Sequence, residues 1–283
     1  MPELPEVETV RQGIATRAVG RRIERVEVGR ERTVRRFGRE SLVAGLSGTV
    51  ITAANRRGKY LLCPLDSGEQ MMIHLRMSGR VLFATIGSER PPHTHVVLHL
   101  APLGDEQPCE LRFVDPRTFG EMLVFDPAHA AEQVPELARL GPDPLVDEFT
   151  PEVLADRLRG KRGNLKATLL DQTVVAGIGN IYADEILHRA GLRWSRVPGS
   201  LRQSTINRLH ASIVEVLTEA VKAGGSTLDD TQYVDAFGEE GWFQTQHRVY
   251  GRAGEPCLTC GRSRISRTTV AGRTTCYCRV CQS

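Results

Sequence analysis

The chain has 283 residues, 40% apolar and 25% charged, a balance that excludes disordered and fibrous classes and suits two domains or one large one. No run approaches the roughly 20 apolar residues of a membrane span, and Glu3, Glu6, Glu8 and Arg11 stand where a signal peptide needs an apolar core, so an intracellular, cytoplasmic chain is expected. The net charge of +3 conceals a gradient: in residues 245–283 seven arginines oppose Glu255 alone, whereas residues 101–160 carry thirteen acids against five arginines. A small basic module on a near-neutral body points to a polyanionic partner.

A helix is expected to open the chain, with Pro5 in its first turn, acids beside it, and Val7, Val10 and Ile14 on one face. Seven β-length apolar runs follow, at 49–55, 59–65, 70–77, 80–85, 95–101, 110–114 and 121–125. They are separated by Gly, Pro, Ser and Asp, which predicts a β-sandwich or barrel. Residues 131–150 are rich in Pro, Asp and Glu and predict a linker after an N-terminal domain of residues 1–130. The period then becomes helical over 151–244: Thr150-Pro151 caps one helix, Asn164 a second and Asn180 a third, and Ser200-x-x-Gln203 opens a long one that Gly224-Gly225 stops. A Gly-rich acidic loop, 226–243, precedes a cysteine module at 245–283.

That module carries Cys257-x2-Cys260 and Cys278-x2-Cys281 with seventeen residues between the pairs. This is the spacing of a tetrahedral four-cysteine zinc site, in which four thiolates leave no open position, so one structural Zn2+ is expected. Cys276 competes with Cys278 only through a less usual C-x4-C spacing. Arg262, Arg264, Arg267 and Arg273 alternate with β-forming residues between the knuckles and predict an arginine-tipped β-hairpin suited to phosphates.

At the other end, removal of Met1 would expose Pro2 as a secondary amine with an α-amino pKa of about 8, able to attack an aldehyde-level carbon and form an iminium ion. Lys59 is the only lysine before residue 161 in a chain with 4 lysines among its 37 basic residues, a hint of a role that needs an ammonium point charge.

The opening MPELPEVETV, RRGKYL at 56–61, HLRMSG at 74–79, DPRTFG at 115–120, LLDQ...GIGNIYADE at 169–185 and the terminal four-cysteine module occur in this order. Together they resemble the formamidopyrimidine-DNA glycosylase family across the whole chain. Leu4, where the related endonuclease VIII branch usually has Gly, favours the purine-specific branch.

The resemblance implies an α+β multidomain fold: an N-terminal β-sandwich with a leading helix, a helix-two-turn-helix domain and a zinc finger hairpin, with DNA in the cleft between the halves. It implies a monomeric bifunctional glycosylase and lyase acting on double-stranded DNA with oxidised purines, nucleoid-associated when bound and without a membrane partner. Pro2 is similar to the family's nucleophile, Glu3 to its acid and Glu6 to the carboxylate supporting the terminus. Lys59, His74, Asn180 and Arg273 resemble the phosphate clamp, and Tyr250 a further backbone contact. Met77, Arg117 and Phe119 match the residues that fill the hole left by the extruded base. Read alone, Met77 and Phe119 are expected to pack in the core rather than to act as wedges. The loop at 226–243 corresponds to a base-capping loop. Two other functions are weighed: an endonuclease VIII-like preference for oxidised pyrimidines, and a non-catalytic zinc-dependent binder of damaged DNA, which would lack Pro2, Glu3 or Lys59.

Overall fold

A computed structural model describes residues 1–228 and 233–283, which form two compact units, Met1–Ala138 with Gly224–Trp242 and Arg139–Ala223 with Phe243–Ser283. The first unit starts with α1 (Leu4–Arg17), capped by Glu3 and Glu6 in a reciprocal box. Pro5 lies in the first turn, where it has no intrahelical hydrogen bond to lose. Val7, Val10 and Ile14 are fully buried, each contributing about 1.5–3 kcal/mol of apolar transfer free energy.

Eight strands follow: β1 (Ile23–Val28), β2 (Asn55–Arg57), β3 (Tyr60–Pro64), β4 (Gln70–His74), β5 (Arg80–Thr85), β6 (Thr94–Leu100), β7 (Cys109–Val114) and β8 (Glu121–Phe125). Helix α2 (Gly38–Leu46) lies between β1 and β2, and the short helices α3 (Ala130–Gln133) and α4 (Pro135–Ala138) close the run. The strands make two four-stranded antiparallel sheets, ordered β1-β6-β7-β5 and β2-β3-β4-β8. Leu61, Ile73 and Met122 of one sheet share a core with Val96, Leu98 and Phe113 of the other and with the buried face of α1.

Two elements escape a reading by alternation. A bulge between Ile23 and Arg25 in β1 breaks the two-residue period, and α2 buries only Leu42 and Leu46, too narrow an apolar stripe to stand out. Conversely, most of the run at 49–55 makes only isolated bridges, Arg22 with Val50 and Ile51 with Leu65.

The second unit holds α5 (Pro151–Leu158), α6 (Leu165–Leu170), α7 (Asn180–Arg189), α8 (Gln203–Lys222) and the hairpin β9 (Ser266–Val270) and β10 (Arg273–Tyr277). Thr150 caps α5 by accepting from Val153 N–H at 3.3 Å, and Asn164 caps α6 by accepting from Ala167 N–H at 2.8 Å. Two expected caps differ. Gly179 is the N-cap of α7, which makes Asn180 its first residue. Helix α8 is preceded by Arg202, because Ser200 belongs to a 3-10 turn and donates to the Val197 carbonyl at 2.9 Å. Gly224 and Gly225 end α8 at φ +71° and +79°, a conformation that favours glycine. Among the described residues no helix is long and apolar enough to cross a membrane.

Candidate active site and nucleic-acid interface

At the amino terminus Pro2 and Glu3 are both buried. Glu6 Oε2 accepts from Glu3 N–H at 2.8 Å, and Glu6 Oε1 accepts from Ser226 N–H at 2.7 Å. Both oxygens of Glu6 thus bind backbone, and a β-carbon on Gly225 would sit 2.7 Å from Oε1, so glycine is required there. Tyr233, also buried, donates its hydroxyl to the Glu6 carbonyl at 3.2 Å.

Lys59 lies in the two-residue turn between β2 and β3, behind Gly58 at φ +57°. The adjacent Arg56 ties this hairpin to α1: its Nε donates to Glu8 Oε2 at 3.0 Å and its Nη1 to the Gly58 carbonyl at 3.0 Å. Burial works against the Glu8 charge, but the hydrogen bonds from Arg11 and Arg56 outweigh it and hold the carboxyl below its usual range. Tyr60, the residue after Lys59, pairs with His74 in the sheet, their rings 4.4 Å apart.

His74 is 6% exposed. Burial, reinforced by the charges of Arg76 and Lys59, pushes its pKa well below the ordinary value and keeps the ring neutral. Arg76 N–H donates to Nδ1 at 3.0 Å, which places the remaining ring proton on Nε2. His74 is therefore a neutral N–H donor, a form suited to a phosphate oxygen.

Met77, Arg117 and Phe119 sit on two loops that one carboxylate joins. Asp115 is fully buried; its Oδ1 accepts from Ser78 Oγ at 2.5 Å and from Arg117 N–H at 3.2 Å, and its Oδ2 accepts from Gly120 N–H at 2.7 Å. Arg76 and Thr118, next to Met77 and Phe119, have φ of +53° and +55°, strain that such bonding holds in place. Core packing is excluded for the two apolar residues, because Met77 is 38% exposed and Phe119 42%. Arg32 stacks over the Phe119 ring at 5.8 Å, and the Arg117 guanidinium reaches Met77 Sδ at 3.9 Å.

In the second unit, Asn180 stands at the amino end of α7, and among the described residues its buried Oδ1 has no hydrogen-bond partner. Arg273 is exposed at the tip of the β9–β10 hairpin, after Ala271 and Gly272 at φ +49° and +72°. Tyr250 is held through its backbone: Glu185 accepts from the N–H groups of Arg248, Val249 and Tyr250 at 2.8, 3.0 and 2.8 Å.

The sulfurs of Cys257, Cys260, Cys278 and Cys281 lie within 4.8 Å of one another. Cys257 to Cys281 is 3.8 Å and Cys260 to Cys278 is 3.7 Å, matching the edge of about 3.8 Å that a tetrahedron of sulfurs about 2.3 Å from a zinc ion requires. The four cysteines are thus placed to bind one metal ion. Cys276 lies outside this group, in the small apolar cluster with Val249 and Ile265.

Three supports lack a signature of their own in the sequence. Lys166 is fully buried and pairs with Asp184 at 2.7 Å while donating to the Thr274 carbonyl and Thr275 Oγ1, each at 2.9 Å. Asp184 also accepts from Cys276 N–H at 2.8 Å, so the pair docks β10 on α6 and α7. The adjacent acids Asp184-Glu185, inside an otherwise apolar helical face, are the one available hint; Asp115, before a proline, is legible only as a turn residue.

Residues 1–122 match the formamidopyrimidine-DNA glycosylase N-terminal domain, and residues 140–232 the H2TH domain of the same family. A formamidopyrimidine-DNA glycosylase from Desulfitobacterium hafniense is 42% identical, and one from Geobacillus kaustophilus 45% identical, each with 100% of both chains covered. Among solved structures, a Lactococcus lactis Fpg in complex with an abasic site containing DNA superposes with a TM-score of 0.89 at 36% identity, covering 99% of each chain. A Lactococcus lactis mutant complexed with a Fapy-dG containing DNA gives the same score and identity over 100% of each chain. A sandwich with a leading helix, a helical unit and a four-cysteine hairpin define a DNA repair glycosylase fold. The chain belongs to the formamidopyrimidine-DNA glycosylase family.

Proposed function

We propose that this chain is a bifunctional DNA glycosylase and abasic-site lyase of base excision repair that removes 8-oxoguanine and formamidopyrimidines from duplex DNA. The observation that carries this reading is the buried amino terminus, where Glu6 clasps the backbone of Glu3 and orders Pro2 at the start of α1. With Met1 attached, the Pro2 nitrogen is an amide without a nucleophilic lone pair; its removal gives the secondary amine.

The Pro2 nitrogen then attacks C1′ of the extruded nucleotide, and the bond from C1′ to the base breaks with its electron pair leaving on the base. The base takes up a proton, while the attacking nitrogen gives up its own and so regains the lone pair that opens the sugar. Glu3 protonates the ring oxygen as the sugar opens, which yields the iminium ion, and serves the later proton transfers. Loss of a C2′ proton expels the 3′ phosphate, and a second elimination expels the 5′ phosphate. Glu6 is a positioning residue, since its oxygens hold backbone N–H groups. Lys59, counted with the catalytic group, clamps phosphate with His74 Nε2–H, Asn180 and Arg273, and Tyr250 adds a backbone contact. Met77 and Phe119 wedge into the vacated stack, and Arg117 faces the orphaned base.

Residues 1–130 form the catalytic domain, 151–244 the helical domain after the linker, with its capping segment at 224–242 belonging to the first compact unit, and 245–283 the finger. One zinc ion held by Cys257, Cys260, Cys278 and Cys281 supplies a fold-stabilising crosslink and no step of the reaction. The protein works as a monomer in the cytoplasm, on the nucleoid when bound to DNA. The capping loop at 226–243 grips the extruded base; its residues 229–232 lie outside those described.

Borohydride added during incubation with duplex DNA containing 8-oxoguanine opposite cytosine tests the proposal. A covalent adduct mapped to the Pro2 nitrogen is expected, and an adduct mapped to Lys59 or another lysine overturns it. Pro2→Gly should slow base removal, and Glu3→Gln should abolish it with DNA affinity nearly unchanged.

A further inference from the structure

The described part of the capping loop, residues 233–242, is built against one helix and one strand of the first unit. Thr227 organises its stem, donating its hydroxyl to the Tyr233 carbonyl at 2.8 Å and accepting from Gly241 N–H at 2.9 Å. Asp235 folds the turn, its Oδ1 accepting from Phe237 and Glu239 N–H at 2.8 and 2.9 Å. Strand β5 is an edge of its sheet, and Phe83 N–H on that edge donates to the Ala236 carbonyl at 2.9 Å. The Phe83 and Phe237 rings stack 6.0 Å apart at 28°. An edge strand that would otherwise offer its backbone to a foreign chain is here occupied by the protein's own segment.

On the opposite side the segment lies against α1 at Gly13. Glycine inside a helix costs about 1 kcal/mol relative to alanine, and Gly13 has the ordinary negative φ of a helix, so no turn explains it. Close approach does: a β-carbon on Gly13 would stand 2.5 Å from Ala236 Cβ, whereas the next atom, Phe237 Cε2, is 3.5 Å away. Ala236 is fully buried and its Cβ is one bond from the main chain, so no side-chain rotation relieves the clash.

We propose that Gly13 of α1 and the β5 edge at Phe83 form a fixed seat for the capping segment, and that Gly13 is thereby a positioning residue for removal of the oxidised base. The same helix bears Pro2 and Glu3 before its first turn and accepts the Tyr233 hydroxyl at Glu6, so the seat keeps the segment in register with the attacking nitrogen. This inference rests on the reading of 226–243 as the segment that grips the base.

The test compares full-length variants on two duplexes, one with 8-oxoguanine opposite cytosine and one with a pre-formed abasic site. Gly13→Ala is expected to lower 8-oxoguanine excision by about tenfold or more, equivalent to about 1.4 kcal/mol at the transition state, with abasic cleavage reduced much less. Gly13→Ala combined with Ala236→Gly, which removes the obstructing carbon, should restore excision. Unchanged excision in Gly13→Ala, equal losses on both duplexes, or no restoration in the double variant each overturns the seat. Deletion of residues 228–235 separates this from the underlying reading: equal losses on both duplexes there defeat the capping role itself. A selective loss in the deletion beside a silent Gly13→Ala defeats the seat alone.

Discussion

At the residue scale, two side chains behave in ways their types alone do not dictate. His74 would normally titrate near neutrality, but burial and its cationic neighbours keep it uncharged with the proton on Nε2. Its contribution to DNA affinity should therefore be flat between pH 6 and 8, and His74→Ala should remove the same increment at both ends of that range; an increment that grows toward pH 6 would indicate a charged ring. Ala271 occupies the hairpin tip at φ +49°, where an alanine is strained by about 1 kcal/mol or more. Ala271→Asn, which makes the Asn-Gly pair favoured in two-residue turns, should raise the thermal midpoint without altering DNA affinity. Arg273→Ala, two positions on, should weaken binding to all sequences alike and lower the salt dependence by about one counterion.

At the element scale, buried charge joins the hairpin to the helices. Burial pushes the Asp184 carboxyl up, against the pull of Lys166, and the pair survives because the ammonium also satisfies two oxygens of β10. Asp184→Asn keeps an acceptor for Cys276 N–H but strands the Lys166 charge, so a loss of about 3 kcal/mol is expected in urea denaturation. The metal group makes a separate prediction at the same scale. Cys276→Ser should retain one zinc per chain by elemental analysis, and Cys278→Ser should lose it; the reverse pattern would shift the ligand set.

At the scale of the whole molecule, acid stability should reflect histidines buried in their neutral form. Burial pushes His247 down to about 4, below the unfolded value of about 6.5. Above about pH 6.5 both states are neutral and its contribution is complete. As pH falls from 6.5 toward 4 the unfolded chain binds the proton first, and up to about 3 kcal/mol is lost. His74 acts in the same direction in the other unit. The urea midpoint should accordingly fall between pH 7 and 5, and His247→Phe should flatten part of that slope even if it changes the midpoint at pH 7.

Local chemistry made much of this protein legible before any coordinates. The four-cysteine spacing, the α1 face of Val7, Val10 and Ile14, the strands from β3 to β8 and the glycine stop after α8 all depend on periods or backbone preferences that act over a few residues. The charge gradient and the ordered motifs carried the class of partner and the family. What the sequence left open were contacts between residues far apart in the chain. Exposure of Met77 and Phe119 rests on Asp115 bonding to Ser78 across 37 positions, and the placing of Glu6 rests on Ser226, 220 positions away. Gly13 is an unremarked helical glycine until Ala236 packs over it. Hydrogen-bond geometry and steric exclusion act through space, so only the tertiary structure decides which of these residues meet.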